Sequence, residues 1–200
     1  MSDLFNKKAG DWDTQSIPQQ LSKTIGPALI NNVTLDPDME VMDFGAGTGL
    51  LTSHIIPFVK SVAAVDISQS MLEQLVSKPE FNNKVTAYCQ NIMHQALDKE
   101  FDLIISAMAM HHVEDTTSLL KTFFQHLKPG GQIALADLDA EDGSFHPKDT
   151  QGVFHLGFDR KAFSLLLQDA GFEDIQISTA YTVIKDGMDF PVFLLTGRKK

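Results

Sequence analysis

Three glycines at alternate positions, Gly45, Gly47 and Gly49, lie between an apolar run that ends in Asp43 and the apolar pair Leu50-Leu51. Glycine suits a backbone that must take positive φ or meet a ligand with no Cβ in the way. A helix opening at Leu50 would add unpaired N–H groups for an anion. A corner of this kind can cradle a nucleotide-like cofactor, and a carboxylate accepting from ribose hydroxyls should then end the following strand. Asp66 closes the short apolar run 61–65, 17 residues after Gly49.

Two further groups could do chemistry. His111, His112 and His155 carry imidazoles, which take up protons near pH 7 when neutral. We favour His111 and His155 as catalytic, against the plain alternative that each is an ordinary hydrogen-bonded histidine. Asp137, Asp139, Glu141, Asp142 and His146 form an acidic cluster whose oxygens would suit Mg²⁺ or Ca²⁺. We read it instead as a solvated loop and expect no metal, since no zinc-ligand spacing is present either.

These residues need a scaffold. Apolar runs at 84–89, 101–106 and 132–138 read as strands, the second showing so little alternation that burial on both faces of a parallel sheet is expected. Ser68 should cap a helix, with Ile67 and Leu72 as its hydrophobic staple. A helix over 115–127 turns Leu119, Leu120, Phe123, Phe124 and Leu127 inward and is stopped by Lys128-Pro-Gly-Gly131. Residues 139–158 are irregular and too long for a simple connector, so we place them at the substrate mouth as a lid. Asp159 caps a helix over 160–170. The extended runs 175–184 and 190–196 must pair antiparallel, because the turn at 185–187 is too short for a parallel crossover. Before the first strand, Ile17, Leu21, Ile25 and Leu29 share one helical face, which Pro27 should kink or shorten.

In this order, Asp43-Phe-Gly-Ala-Gly-Thr-Gly49, Ala64-Val-Asp66 and Leu127-Lys-Pro-Gly-Gly131 resemble the class I S-adenosylmethionine (SAM) dependent methyltransferases, particularly small single-domain members of the type 11/12 kind. The resemblance implies an α/β fold: a Rossmann-like, doubly wound, seven-stranded sheet, mostly parallel with an antiparallel C-terminal hairpin and helices on both faces. Residues 1–200 would form one domain, with 1–36 as a helical cap and 139–158 as the lid. It also implies SAM as cofactor, S-adenosylhomocysteine (SAH) as product, and a cofactor site of Trp12, Asp43, Gly45, Ala46, Gly47, Asp66, Ile67, Met71, Asn91, Ile92 and Ala107. Gly45 and Gly47 would admit the methionine part, Asp66 would hold ribose, and Asn91-Ile92 would read adenine.

Some of these roles stay open. Trp12 either touches the methionine end of SAM or, with Phe5, pins its segment to the core. Met71 is either core or adenine contact. Asn91 stands where such enzymes usually carry an aspartate, though its amide oxygen can accept the same bond. The Asn/Asp-Pro-Pro-aromatic tetrapeptide of nucleobase-amine methyltransferases is absent after 106, which points to a small-molecule acceptor.

Composition supports this. Sixteen basic against 26 acidic residues give a net charge of −10, which disfavours a polyanionic partner such as nucleic acid. No run approaches the ~20 apolar residues of a membrane helix. The single cysteine, Cys89, excludes an intrachain disulfide and reads as a small buried hydrophobe. We expect a cytoplasmic protein with no membrane partner. Two rival readings remain: a SAM-binding protein without turnover, and an NAD-dependent oxidoreductase. The second is disfavoured because the dinucleotide fingerprint needs a glycine where Leu50 stands.

Overall fold

The computed structural model describes Phe5 and residues 8–81 and 83–200. Residues 1–4, 6 and 7 of the expected cap therefore lie outside the described residues, as does Asn82. Seven strands form one sheet in the order β3-β2-β1-β4-β5-β7-β6. They are β1 (Glu40–Phe44), β2 (Ser61–Asp66), β3 (Val85–Cys89), β4 (Phe101–Ala107), β5 (Leu127–Leu138), β6 (Glu173–Lys185) and β7 (Met188–Arg198). The first five run parallel. β7 lies antiparallel to both β5 and β6, as the short turn requires.

Side chains alternate across a strand, and here both faces are covered. One face carries Val41, Val62, Ala64, Leu103 and Ile105 against α1 (Ser16–Asn32), α2 (Thr52–Ile55) and α3 (Gln69–Val76). The other carries Met42, Val65, Ile104 and Ile133 against α4 (Thr116–His126) and α5 (Arg160–Ala170). Each such fully buried aliphatic side chain stabilises the fold by roughly 1.5–3 kcal/mol. Strand order reverses between β1 and β4, which makes the crevice beyond their C-terminal ends the natural ligand position. No helix among the described residues is long and apolar enough to cross a membrane.

Several expectations need correcting. Pro27 does not shorten α1, which runs on to Asn32. Leu21, Ile25 and Leu29 are buried along one face, and Gly26 lies so close to His54 that an added Cβ would fall 2.4 Å from its ring. That packing holds the helix past the missing N–H. The helix after the glycine corner is a single turn, Thr52–Ile55, continued by a 3-10 turn at Ile56–Phe58. Lys128-Pro-Gly-Gly131 begins β5 instead of only stopping α4. The staple at α3 does not form as expected, because Ile67 is 61 % exposed while Leu72 is buried. Cys89 is exposed, because β3 is an edge strand with no neighbour on its outer side.

Candidate active site

The corner after β1 is built as its glycines demand. Gly45, Gly47 and Gly49 have φ of +68°, +54° and +82°. Gly45 N and Ala46 N donate to Val65 O at 2.8 and 3.1 Å, which ties the turn to the end of β2. Asp66 then reaches across: its Oδ2 accepts from Gly47 N and its Oδ1 from Ser68 N, both at 2.8 Å. The glycines differ in why they are needed. A Cβ on Gly45 would fall 2.3 Å from the Ala109 methyl, and one on Gly49 would fall 2.6 Å from the Phe81 ring. A Cβ on Gly47 would meet nothing within 4 Å. The space at Gly45 is thus taken by the loop after β4, and the open face belongs to Gly47.

Beneath the corner, Asp43 is 1 % exposed and accepts from Thr52 Oγ1 at 2.6 Å. Burial pushes its carboxyl up to about 7; repulsion from Asp66 adds to the rise and the Thr52 bond opposes it. Above the corner, Asp13, in a 3-10 helix at Ala9–Thr14, accepts from Thr48 Oγ1 at 2.5 Å and pairs with Lys78 at 2.6 Å. The segment before the first strand is therefore strapped across the glycine turn to Lys78, just past the end of α3.

Of the residues expected on the adenine side, Ile67 is exposed, whereas Met71 and Ile92 are each 2 % exposed and belong to the core. Ser68 caps α3, its Oγ accepting from Met71 N. Asn91 Oδ1 accepts from Met93 N at 2.9 Å, a loop-capping bond that leaves its other lone pair and its amide N–H groups.

The loop after β4 leaves the half-buried Ala107 through Met108, whose φ of +57° is rare for a side chain of this size. His111 follows, 1 % exposed, its Nδ1 2.7 Å from Asp137 Oδ1 at the end of β5. Asp137 is fully buried and also accepts from the backbone N–H of Met110, His111 and Leu138. Two more imidazoles crowd His111: His112 and, from the loop at 139–158, His146, with ring centroids 4.1 and 5.1 Å away. Burial, joined by repulsion from His111, pushes both His112 and His146 down to about 4. Nε2 of His111 and Nε2 of His146 are buried without a hydrogen-bond partner. Phe5 packs edge-on to both His112 and Trp12, so the N-terminal segment reaches this cluster.

His155 sits elsewhere in the same loop. Its Nε2 donates to Val113 O at 3.0 Å and Glu114 O at 3.2 Å, while its backbone N–H and that of Phe154 donate to His111 O. With His112 Nδ1 donating to Gly152 O at 2.7 Å, these bonds seat residues 152–155 on the loop after β4. The acidic cluster disperses. Asp137 holds His111, Asp139 forms a two-bond pair with Arg160, Glu141 accepts from the amides of residues 143–145, and Asp142 accepts from Ser144. Among the described residues no group of three or more His, Cys, Asp or Glu could hold a metal ion.

Sequence reasoning put Asp137 and His146 in the acidic loop and missed their part in the histidine cluster; it also missed Asp13 and Thr48. The β4–β5 register, with Ala107 opposite Ala136, places Asp137 beside the loop after β4. That pairing is the signal that could have found it.

A family model described as a methyltransferase domain matches residues 19–177. An uncharacterized methyltransferase of Schizosaccharomyces pombe is 28 % identical, the match covering 74 % of this chain and 58 % of that protein. The malonyl-[acyl-carrier protein] O-methyltransferase of Priestia megaterium is 26 % identical, with 75 % and 57 % covered. The chain thus spans little more than half the length of these curated relatives. Among solved structures, the N-methyltransferase NodS of Bradyrhizobium japonicum in complex with SAH superposes with a TM-score of 0.73 at 14 % identity, covering 98 % of this chain and 94 % of that one. At that identity the likeness bears on fold alone.

Proposed function

The chain belongs to the methyltransferase domain family, and on that premise we propose that it transfers a methyl group from SAM to a small-molecule acceptor and releases SAH. The observation that carries this reading is the Gly47 N to Asp66 bond, which draws the glycine corner and the carboxylate after β2 into one cradle with an open face at Gly47. The residues fit the cofactor. Asp66 accepts from the backbone amides of Gly47 and Ser68 at the mouth of the cradle, where its carboxylate would meet the ribose hydroxyls. Gly47 and Ala46 would flank the methionine part, and Ile67 with Asn91 the adenine. Met71 and Ile92 would form the floor, Asp43 would support the turn from below, and Ala107 and Trp12 would border the transfer site.

Bound SAM would supply an already activated methyl group. The protein's task is then to align an acceptor and exclude water, and positioning of this kind can supply ~7–11 kcal/mol of the barrier. Where the acceptor must lose a proton, a base adds roughly 10²–10⁴ in rate. We assign that role to His111, whose Nε2 is unpartnered. His155 has its Nε2 committed to two carbonyls, and we assign it to holding the lid. We treat residues 1–36 as the cap, residues 139–158 as the lid, and the whole as one domain. A cytoplasmic setting suits the exposed thiol of Cys89, which stays reduced there.

The curated relative named above is an O-methyltransferase and the structural neighbour an N-methyltransferase, so the acceptor atom is not inherited from likeness. Equilibrium titration with SAH tests the cofactor: absence of binding removes the reading. Transfer of isotopically labelled methyl from SAM into a pool of small metabolites tests the reaction. Binding with no transfer to any pool component would favour a non-catalytic SAM-binding protein.

A further inference from the structure

We infer that residues 8–14 form a gate over the cofactor cradle, held shut by the carboxylate of Asp13, and that SAM enters and SAH leaves only when this clasp opens. This rests on the methyl-transfer reading above and adds to it how exchange at that site is controlled.

The strap runs from one wall of the crevice to the other. That crevice lies beyond the ends of β1 and β4, with the glycine corner on one side and the loop after β4 on the other. At the corner, Asp13 Oδ1 accepts from Thr48 Oγ1 at 2.5 Å, and Thr48 stands between Gly49 and Gly47, whose face is open. At the opposite wall the Phe5 ring meets that of His112, with 5.4 Å between centres. Trp12 lies between these anchors, edge-on to Phe5 at 6.1 Å. A ligand bound for Gly47 therefore has the strap in its path.

One carboxylate makes the closure. Asp13 Oδ2 takes Lys78 Nζ at 2.6 Å, and Lys78 lies 5.8 Å over the ring of Phe81, which packs against Gly49. The strap is thus fastened both to the corner and to the residues that pack behind it.

Little apolar burial adds to this. Within the 3-10 helix at Ala9–Thr14 only Ala9 is buried, whereas α1 buries Leu21, Ile25 and Leu29 and ties Ser22 Oγ to Leu50 O at 3.0 Å. Segments with few buried apolar contacts open locally at small cost. Gln15, extended at φ −73° and ψ 136°, separates the two helices, and Gln19 Nε2 donates across that joint to Asp13 O at 2.7 Å. The strap can swing there while α1 stays seated.

Both partners of the Asp13 carboxylate are protein groups, so the clasp closes alike with and without the cofactor. Loosening it should speed entry and exit by the same factor and leave the affinity where it was. A residue that held the cofactor itself would change the exit rate and the affinity together. Each turnover exchanges SAH for SAM, so the opening rate also caps turnover.

Release of isotopically labelled SAH into excess unlabelled SAH gives the exit rate, calorimetric titration gives the affinity, and their quotient gives the entry rate. Asp13→Ala should raise both rates roughly five-fold, what a partly exposed pair and one hydroxyl bond contribute, with the affinity unchanged. Lys78→Met, which keeps the apolar stem, should raise both rates by less, and the two changes together should do no more than Asp13→Ala alone. Raising salt from about 0.1 M to about 1 M cuts the screening length from ~10 to ~3 Å. That should speed both wild-type rates and leave those of Asp13→Ala nearly as they were. A faster exit with unchanged entry and weaker binding would make Asp13 a cofactor contact and overturn the gate. So would rates indifferent to Asp13 and to salt. Should Asp13→Ala not fold, the isosteric Asp13→Asn, which keeps an acceptor for Thr48 but loses the charge facing Lys78, and wild type in salt decide by the same two rates. Absence of SAH binding by the wild type would instead remove the methyl-transfer reading itself.

Discussion

Replacing the glycines of the corner one at a time separates what packing requires from what a ligand requires. Gly45, Gly47 and, as a control in the β6–β7 turn, Gly187 all have left-handed φ: +68°, +54° and +78°. Alanine at any of them should cost roughly 1–2 kcal/mol for the backbone alone. Gly187 and Gly47 have nothing within 4 Å of a new Cβ, so the cost should end there. Gly45→Ala adds a methyl 2.3 Å from that of Ala109, an overpacking worth ~1–3 kcal/mol more. At ~2–4 °C per kcal/mol for a chain of this size, Gly47→Ala and Gly187→Ala should melt roughly 2–8 °C below wild type, and Gly45→Ala roughly 4–20 °C below. Calorimetric titration with SAH should order them differently. Gly187→Ala should bind like wild type, while Gly47→Ala should bind about 5- to 150-fold more weakly, because a methyl on the open face meets the cofactor at a similar ~1–3 kcal/mol. Unchanged SAH affinity in Gly47→Ala would refute the placement of the cofactor, and equal melting of Gly45→Ala and Gly187→Ala would refute the Ala109 contact.

Asp66→Ala should weaken SAH binding by roughly 10- to 150-fold, the loss of charge-assisted bonds worth ~1.5–3 kcal/mol; titration giving the wild-type constant would exclude the carboxylate from the site. Asp43 titrates near 7 when folded against 3.8 as its ordinary value. The native state therefore binds the extra proton between these limits, so this contribution to stability is full below pH 3.8 and lost as pH rises to about 7. Asp43→Asn, which keeps an acceptor for Thr52, should gain on wild type across that window by on the order of a few kcal/mol; parallel urea-unfolding stabilities from pH 4 to 8 would show the carboxyl is not buried as described. Asp13→Ala should free Thr48 and Lys78 and speed limited proteolysis within residues 8–15 by roughly five-fold, a partly exposed pair contributing ~1 kcal/mol. An unchanged cleavage pattern would argue against the strap.

Local features of the sequence carried much of the fold. The 17, 21, 25, 29 spacing marked the buried face of α1, Ser68, Asp115 and Asp159 marked helix starts, and the three-residue turn after β6 forced an antiparallel pair. Each of these depends on residues close together in the chain, where periodicity and turn geometry act without knowledge of the rest. The glycine corner and Asp66 were legible for the same reason, since adjacent parallel strands ending in a turn and a carboxylate leave few alternatives.

Tertiary structure alone decided what lay between distant segments. It exposed Cys89 by putting β3 at the edge, let α1 run through Pro27, and gave the space beside Gly45 to Ala109. Above all it joined His111 and Asp137, 26 residues apart, and laid His146 from the loop at 139–158 against His111. Nothing in the spacing of those residues fixes that meeting. It follows from the register of β4 on β5 and the path of a long loop over both, and those are set by burial across the whole sheet.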